Sequence, residues 1–309
     1  MRITITGGLG FLGRALGAQL DAEGCHVRLM DIGDQGPQGV DYRRGSVFSA
    51  EDCLSACQGA DTVVHCAAIH EARQVSRDPL AAIAINVTGT INLFDAAIRA
   101  GARRFIFMSS AKVYGDPSIL PSVEHVALAP KEAYALSKLA GEHHLRVSQA
   151  NSGIEVVIVR PFSVYGPGQN LGSGYVGMVL ESFLKERRIE LPGHADFKRD
   201  FVHIDDVTRL STTAVLDESL SGVTIVNAGS GEIVSLAQLV SCASEIVGYD
   251  LPMGYRVPGP ETLTRSHADM GFAAERFGFR SVFKLTEGLA DTIEWFASNH
   301  SRGRKRSQR

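Results

Sequence analysis

The chain lacks the marks of several protein classes. No uncharged apolar run approaches the ~20 residues that a membrane-spanning helix needs, and the opening Met1 to Leu16 stretch is broken by Gly7, Gly8, Gly10 and Gly13 rather than built like a signal peptide. A membrane partner is therefore not expected. No two cysteines stand in C-x-x-C spacing, and the five present (Cys25, Cys53, Cys57, Cys66 and Cys242) are odd in number. Neither a zinc site nor a disulfide frame is expected, and free thiols suit a reducing, cytoplasmic setting. Positive charge is scarce outside the C-terminus. Arg302, Arg304, Lys305, Arg306 and Arg309 fall in the last nine positions, leaving 26 basic against 34 acidic residues elsewhere. A body at −8 argues against nucleic acid as a partner, and residues 301–309 read as a basic, frayed tail.

What remains is ordinary globular composition, with 44% hydrophobic and 21% charged residues in 309, and 32 glycines. Short apolar runs at Ile3–Thr6, Val27–Asp31, Thr62–His65, Phe105–Met108 and Val156–Val159 read as strands buried on both faces. Helical stretches lie between them at Phe11–Glu23, Pro79–Ala100 and Lys131–Ala150, the second marked by Ile83, Val87, Ile91 and Phe94 on one face. The β-α alternation predicts a doubly wound parallel sheet of the Rossmann kind with right-handed crossovers. After Arg160, glycine and proline crowd the chain. We place a smaller α/β lobe at 166–200 and 227–300, with 1–165 and a return segment of about 201–226 forming the first lobe.

Three groups of residues carry chemistry. Gly7, Gly10 and Gly13 follow the first strand and open a helix at Phe11-Leu12, where a sharp turn and free N–H groups suit a pyrophosphate; a plain Gly-rich loop is the alternative. Asp31 ends the second strand 18 residues beyond Gly13. A carboxylate there accepts both hydroxyls of an adenosine ribose and repels a 2′-phosphate, which favours NAD over NADP unless Asp31 is merely solvated. Tyr134 and Lys138, four apart on a helix, share one face, where an ammonium lowers a phenol's pKa towards that of a usable base. Such a pair also arises by chance. Its context is Ser110 at the end of a strand, able to hydrogen-bond the hydroxyl that Tyr134 deprotonates.

With Thr6-Gly-Gly-Leu-Gly-Phe-Leu-Gly13, His65-Cys-Ala-Ala68, Asn86-Val-Thr-Gly89, Ser109-Ser-Ala-Lys-Val-Tyr-Gly115, Tyr134-x-x-x-Lys138, Arg160-Pro-Phe-Ser-Val-Tyr-Gly-Pro167 and Arg199-Asp-Phe-Val-His-Ile-Asp-Asp206 in this order, the chain resembles extended short-chain dehydrogenase/reductases of the NAD-dependent epimerase/dehydratase type over nearly all of 1–298. The resemblance implies a nucleotide-diphosphate-sugar substrate, NAD, and a homodimer formed through Pro79–Ala100 and Lys131–Ala150. It implies Tyr134 as base for a sugar hydroxyl, usually at C4, Lys138 at the nicotinamide ribose, and Ser110 as the third catalytic member. His65, Ala67 and Ala68 would pass beside the pyrophosphate and ribose, with Asn86, Ser109 and Pro161 also at the cofactor. Ser46 stands where relatives use Asp to hold adenine, beside Val47. Arg199 and Ser163 would meet the substrate diphosphate, while Arg256, in Arg256-Val-Pro-Gly-Pro-Glu261, is displaced by one from the usual run. Arg73 would meet the sugar or be a surface residue. Dehydrating relatives carry an Asp-Glu pair where this chain has Ala111 and Lys112, so epimerisation or ketone reduction is expected. The activity implied is C4 epimerisation of a nucleotide sugar, the alternatives being a 4-keto-sugar reductase or a non-catalytic NAD-sensing scaffold. Lys112 itself is either a solvated residue at the cleft mouth or a phosphate contact.

Overall fold

The computed structural model describes residues 1–185, 188–194, 197–259 and 262–306; the side chains of 72, 73, 76 and 300–306 are outside that description. The chain begins as β1 (Arg2–Thr6), α1 (Phe11–Ala22), β2 (His26–Asp31), β3 (Asp41–Arg44), α2 (Ala50–Cys57) and β4 (Thr62–His65). Next come α3 (Ala72–Arg77), α4 (Pro79–Ile83), a single π-helical turn (Ala84–Thr88), α5 (Gly89–Arg99) and β5 (Arg104–Met108). A 3₁₀ turn (Ala111–Tyr114), α6 (Ala133–Ser152), β6 (Glu155–Pro161), β7 (Ser163–Tyr165), α7 (Gly174–Leu184), β8 (Ile189–Pro192) and β9 (Lys198–Arg199) follow. The rest is β10 (Phe201–His203), α8 (Ile204–Leu216), β11 (Val223–Ala228), β12 (Val234–Ser235), α9 (Leu236–Val247), β13 (Met253–Arg256), β14 (Arg265–Ser266), α10 (Gly271–Phe277) and α11 (Leu285–Arg306).

Seven parallel strands form the main sheet in the order β3-β2-β1-β4-β5-β6-β11, the doubly wound architecture that the alternation predicts. Strand order reverses between β1 and β4, and at such a switch point a ligand crevice opens beyond the carboxyl ends. One apolar cluster, with Ile5, Leu16, Val64, Ile106 and Val226, packs one face; a second, with Val63, Leu93, Phe94, Phe105 and Ile158, packs the other. A third core joins Tyr165, Val179, Leu180, Leu191, Leu239 and Leu289 in the second lobe.

Several details differ from the sequence expectations. Residues 41–44 form the outermost strand although Asp-Tyr-Arg-Arg has no apolar run, since an edge strand needs none. β11 carries the main sheet to Ala228, two residues past the expected return segment. Ala268, Ala273 and Phe279 also bury in the first lobe's core, so α10 sits there although 227–300 had been placed in the second lobe. Its seven residues give too short a periodicity to show which lobe they cover. The last helix continues to Arg306, into the segment expected to fray, with no proline to stop it; 307–309 lie outside the described residues. Pro79–Arg99 has a mean hydropathy of 1.4, enough by length and composition for a membrane span, yet it packs against α2 and α6 as a core helix does.

Candidate active site

The turn after β1 shows why glycine is needed there. A Cβ on Gly13 would stand 2.2 Å from the Gly7 carbonyl oxygen, and one on Gly7, whose φ is +67°, would stand 2.7 Å from the Ala67 nitrogen. Neither neighbour is a side chain that can swing away, so helix α1 and the segment after β4 close onto this turn only if both residues are glycine. Gly10 caps α1 without a side chain. The first-turn N–H groups of Phe11, Leu12 and Gly13 have no partners within the helix, and they add to its positive end. Asp31 locks the turn to β2 by accepting from Leu9 N–H at 2.9 Å and from Ile32 N–H at 2.7 Å. The turn fits a dinucleotide pyrophosphate, with the carboxylate at the strand end where a ribose would lie.

Neighbouring positions divide into ligand-facing and structural. Ser46 donates its N–H to Asp52 and accepts from Phe48 N–H, while Val47 is buried against Gly89 at the start of α5. Ala67 backs the glycine turn, with Ala68 next to it. Asn86 lies in the π turn, fully buried, and exchanges two hydrogen bonds with the Ile69 backbone while donating to Ser137. It thus ties the segment after β4 to α6, where the wider turn gives an amide room to reach both. His65 differs from the implied cofactor contact. Its ring is completely buried, Nδ1 lies 2.8 Å from the Thr6 hydroxyl and Nε2 lies 3.0 Å from that of Thr90. Thr90 donates to the Asn86 carbonyl, so its oxygen accepts from Nε2–H and Nδ1 accepts from Thr6. Both nitrogens are used, and the ring braces β1, β4 and α5 instead of reaching a ligand.

Ser110, Tyr134 and Lys138 come together beyond the ends of β4 and β5. Ser110 starts the 3₁₀ turn in extended conformation, and its hydroxyl faces the Tyr134 phenol and favours its ionised form. Lys138, one turn along α6, is buried with Nζ 2.7 Å from the Met108 carbonyl oxygen and 4.7 Å from the centre of the Phe107 ring. Burial draws its ammonium down to about 8, with Cys66 and Glu142 opposing. The expectation that this ammonium lowers the phenol's pKa is not met. Burial pushes the Tyr134 hydroxyl up, the Glu132 carboxylate adds to that, and the Ser110 hydroxyl offsets part. Burial dominates because Lys138 is turned towards Met108. Lys112, with Ala111 before it, pairs with Glu132 at 2.6 Å.

Sequence reasoning missed a buried polar network behind the triad. Glu142, one turn beyond Lys138, accepts from Arg160 Nε at 3.0 Å and Nη2 at 2.6 Å, and from the Ser109 hydroxyl. Ser109, read as a cofactor contact, therefore points its hydroxyl into this network. Arg160 continues to Tyr114 and the Glu124 carbonyl, and Tyr114 to Asn227. A buried ion pair costs several kcal/mol in desolvation unless its remaining groups are also bonded, as they are here. Regular spacing from Tyr134 to Lys138 to Glu142 was the available signal, since i, i+4, i+8 keeps one helix face. Pro161 ends β6 beside this network and is buried.

Substrate-side residues are more dispersed. Arg199 is buried and donates to the carbonyls of Lys198, Leu263 and Thr264 and to the Tyr175 hydroxyl; it pairs with neither Asp200 nor Asp205. Asp200 instead accepts from Ser230, Gly231 and Ala268. Among the described residues no carboxylate pairs with this guanidinium, whose fork suits an anion. Ser163 starts β7, whose neighbour β10 follows Arg199-Asp200 directly. Arg256 is exposed at the end of β13, on a separate two-stranded sheet with β8. The side chain of Arg73 lies outside the described residues.

Comparison with known proteins agrees with this geometry. The sequence profile described as the NAD dependent epimerase/dehydratase family matches residues 3–229. The chain is 29% identical to the UDP-glucose 4-epimerase of Mycolicibacterium smegmatis, over 96% of this chain and 98% of that protein. Among solved structures it is similar to the UDP-glucose 4-epimerase of Thermotoga maritima with UDP-glucose, at 27% identity and a TM-score of 0.90, covering 97% of this chain and 100% of that one. It is also similar to the UDP-glucuronic acid 4-epimerase of Bacillus cereus with UDP-glucuronic acid and NAD, at 26% identity and a TM-score of 0.89 over the same shares.

Proposed function

The chain belongs to the NAD dependent epimerase/dehydratase family, and from that premise we propose that it is a UDP-sugar 4-epimerase working through a transient 4-keto sugar. The observation that carries this reading is the meeting of Ser110, Tyr134 and Lys138 beside a glycine turn that fits a dinucleotide. Relatives named for UDP-glucose and UDP-glucuronic acid support a UDP-sugar.

NAD, for which the glycine turn and Asp31 would form the site, would supply a reversible hydride acceptor. The chain's own groups handle the proton and the positioning. Ser110 holds the C4 hydroxyl oxygen, and the Tyr134 phenolate removes its proton as C4 becomes a ketone. Lys138, still mostly cationic at neutral pH, would hold the nicotinamide ribose one helical turn from the phenol. Arg199 holds the diphosphate while the keto sugar turns over. Tyr134 then returns the proton to the oxygen on the other face, leaving no net redox change. Ala111 and Lys112 give no carboxylate at the positions where dehydrating relatives carry one, which supports epimerisation.

We further propose a cytoplasmic homodimer built through α4, α5 and α6. Leu80, Ile83 and Ile91 on the first two, with Leu136 and Val147 on α6, are exposed apolar residues that a second copy would cover. Incubating the purified protein with UDP-glucose, UDP-glucuronic acid and their N-acetylated counterparts, without added cofactor, tests the activity. Formation of a C4 epimer supports it, and stoichiometric loss of NADH with a 4-keto sugar instead would assign a reductase.

A further inference from the structure

One charged pair beside the reacting phenol has no part in the mechanism above. Lys112 Nζ donates to Glu132 Oε1 at 2.6 Å and lies 5.7 Å from the centre of the Tyr134 ring. Its backbone N–H donates to the Ser110 hydroxyl at 3.2 Å, so the turn that carries the charge is tied to the catalytic serine. Glu132 stands two residues before Tyr134 and is mostly buried, with 17% of its side chain exposed against 46% for Lys112.

Among the described residues, the other groups facing the phenol do not duplicate this pair. The Ser110 hydroxyl faces the phenol and is uncharged. His70, from the segment after β4, meets the Tyr134 ring edge-on at 6.5 Å; burial holds it neutral, with Glu71 opposing and Lys138 and Lys112 assisting. Lys138 is turned to the Met108 carbonyl. Glu132 is the carboxylate that disfavours the phenolate, and Lys112 is bonded to it.

We propose that Lys112 is a positioning residue for the reaction: its ammonium cancels the Glu132 carboxylate beside the Tyr134 hydroxyl and keeps that hydroxyl able to give up its proton. The proposal rests on Tyr134 acting as the base. A half-exposed ion pair contributes little to stability. A charge about 4–6 Å from a titrating group, by contrast, moves that group's balance strongly, less so where water screens it. The pair's effect therefore falls on the phenol rather than on the fold.

The test is an ultraviolet titration of the NAD-loaded protein, with Tyr134→Phe subtracted to isolate one phenol among seven tyrosines. Lys112→Met keeps the aliphatic stem and removes the charge, and is expected to raise the phenol midpoint by roughly 0.5–1 pH unit. Glu132→Gln is expected to lower it, the double variant to return it near wild type, and Lys112→Arg to preserve it. With UDP-glucose as the probe, Lys112→Met should shift the acidic limb of kcat upward, reducing kcat at neutral pH about three- to tenfold with KM unchanged. A Lys112→Met midpoint identical to wild type overturns the proposal. So does a raised KM with kcat and midpoint unaltered, which assigns Lys112 to a substrate contact. Full turnover by Tyr134→Phe would remove the underlying base assignment, while the titration would still report on the pair, so the two failures are separable.

Discussion

The Nζ of Lys138 lies 2.7 Å from the main-chain oxygen of Met108, inside the fold and one helical turn from the tyrosine it serves. An ammonium held there costs stability at neutral pH. Burial lowers its pKa to about 8, against roughly 10.4 in an unfolded chain. Between those values the unfolded chain binds more protons, so stability rises with pH through this window and the cost is fully present below about 8. Lys138→Met should therefore stabilise the protein at pH 7 by roughly 1–3 kcal/mol while abolishing turnover. Urea unfolding at pH 7 and at pH 10 checks it, and the stabilisation should shrink at the higher pH.

His65 acts in the same sense at lower pH. Burial holds it well below its usual range, with Lys138 adding to the effect. As pH falls below about 6.5 the unfolded chain takes up a proton that the folded ring refuses, and stability is lost. Replacing His65 with Gln should flatten, though not remove, the fall in unfolding free energy between pH 6.5 and 5, since His70, His144 and His203 are lowered too.

Glu142 and Arg160 are each 1% exposed and depend on one another. Glu142→Ala strands a buried guanidinium and should cost about 3–5 kcal/mol. Glu142→Gln combined with Arg160→Met should cost less than Glu142→Ala alone, which thermal melts of the two proteins will show. Equal or greater loss in the double variant would mean that the network is not coupled.

Much of the fold was legible because buried parallel strands are short apolar runs and the glycine turn is a steric requirement. The site's first residues, Ser110, Tyr134 and Lys138, were legible for a similar reason: chemistry restricts which side chains serve. His65 and Ser109 misled because a polar residue at a strand end can face a ligand or its own core, and only packing decides. The helix spacing put Glu142 on the face of Tyr134 and Lys138, but its partners Ser109 and Arg160, like the return of α10 to the first lobe, were hidden because they depend on contacts across long sequence separations. Lys138 was the one clue in sequence to the phenol's environment, whereas burial and Glu132 set it.

Gly13→Ala tests the cofactor cradle. Its Cβ would fall 2.2 Å from a backbone oxygen, so α1 must move away from β1. The variant should purify with less than about a tenth of the wild-type dinucleotide, a loss of at least ~1.4 kcal/mol in binding, read from the nucleotide released on denaturation. Wild-type occupancy would show that the turn does not hold the cofactor.

The most direct measurement follows a UDP-sugar and its C4 epimer by NMR, each as the starting material, with cofactor-loaded wild-type and Tyr134→Phe proteins. Wild type should bring both to the same mixture without net change in dinucleotide redox state, and the phenylalanine variant should be slower by about 10²–10⁴ with its dinucleotide still bound. No interconversion across the sugars with dinucleotide present, or an undiminished rate without the phenol, would contradict the account.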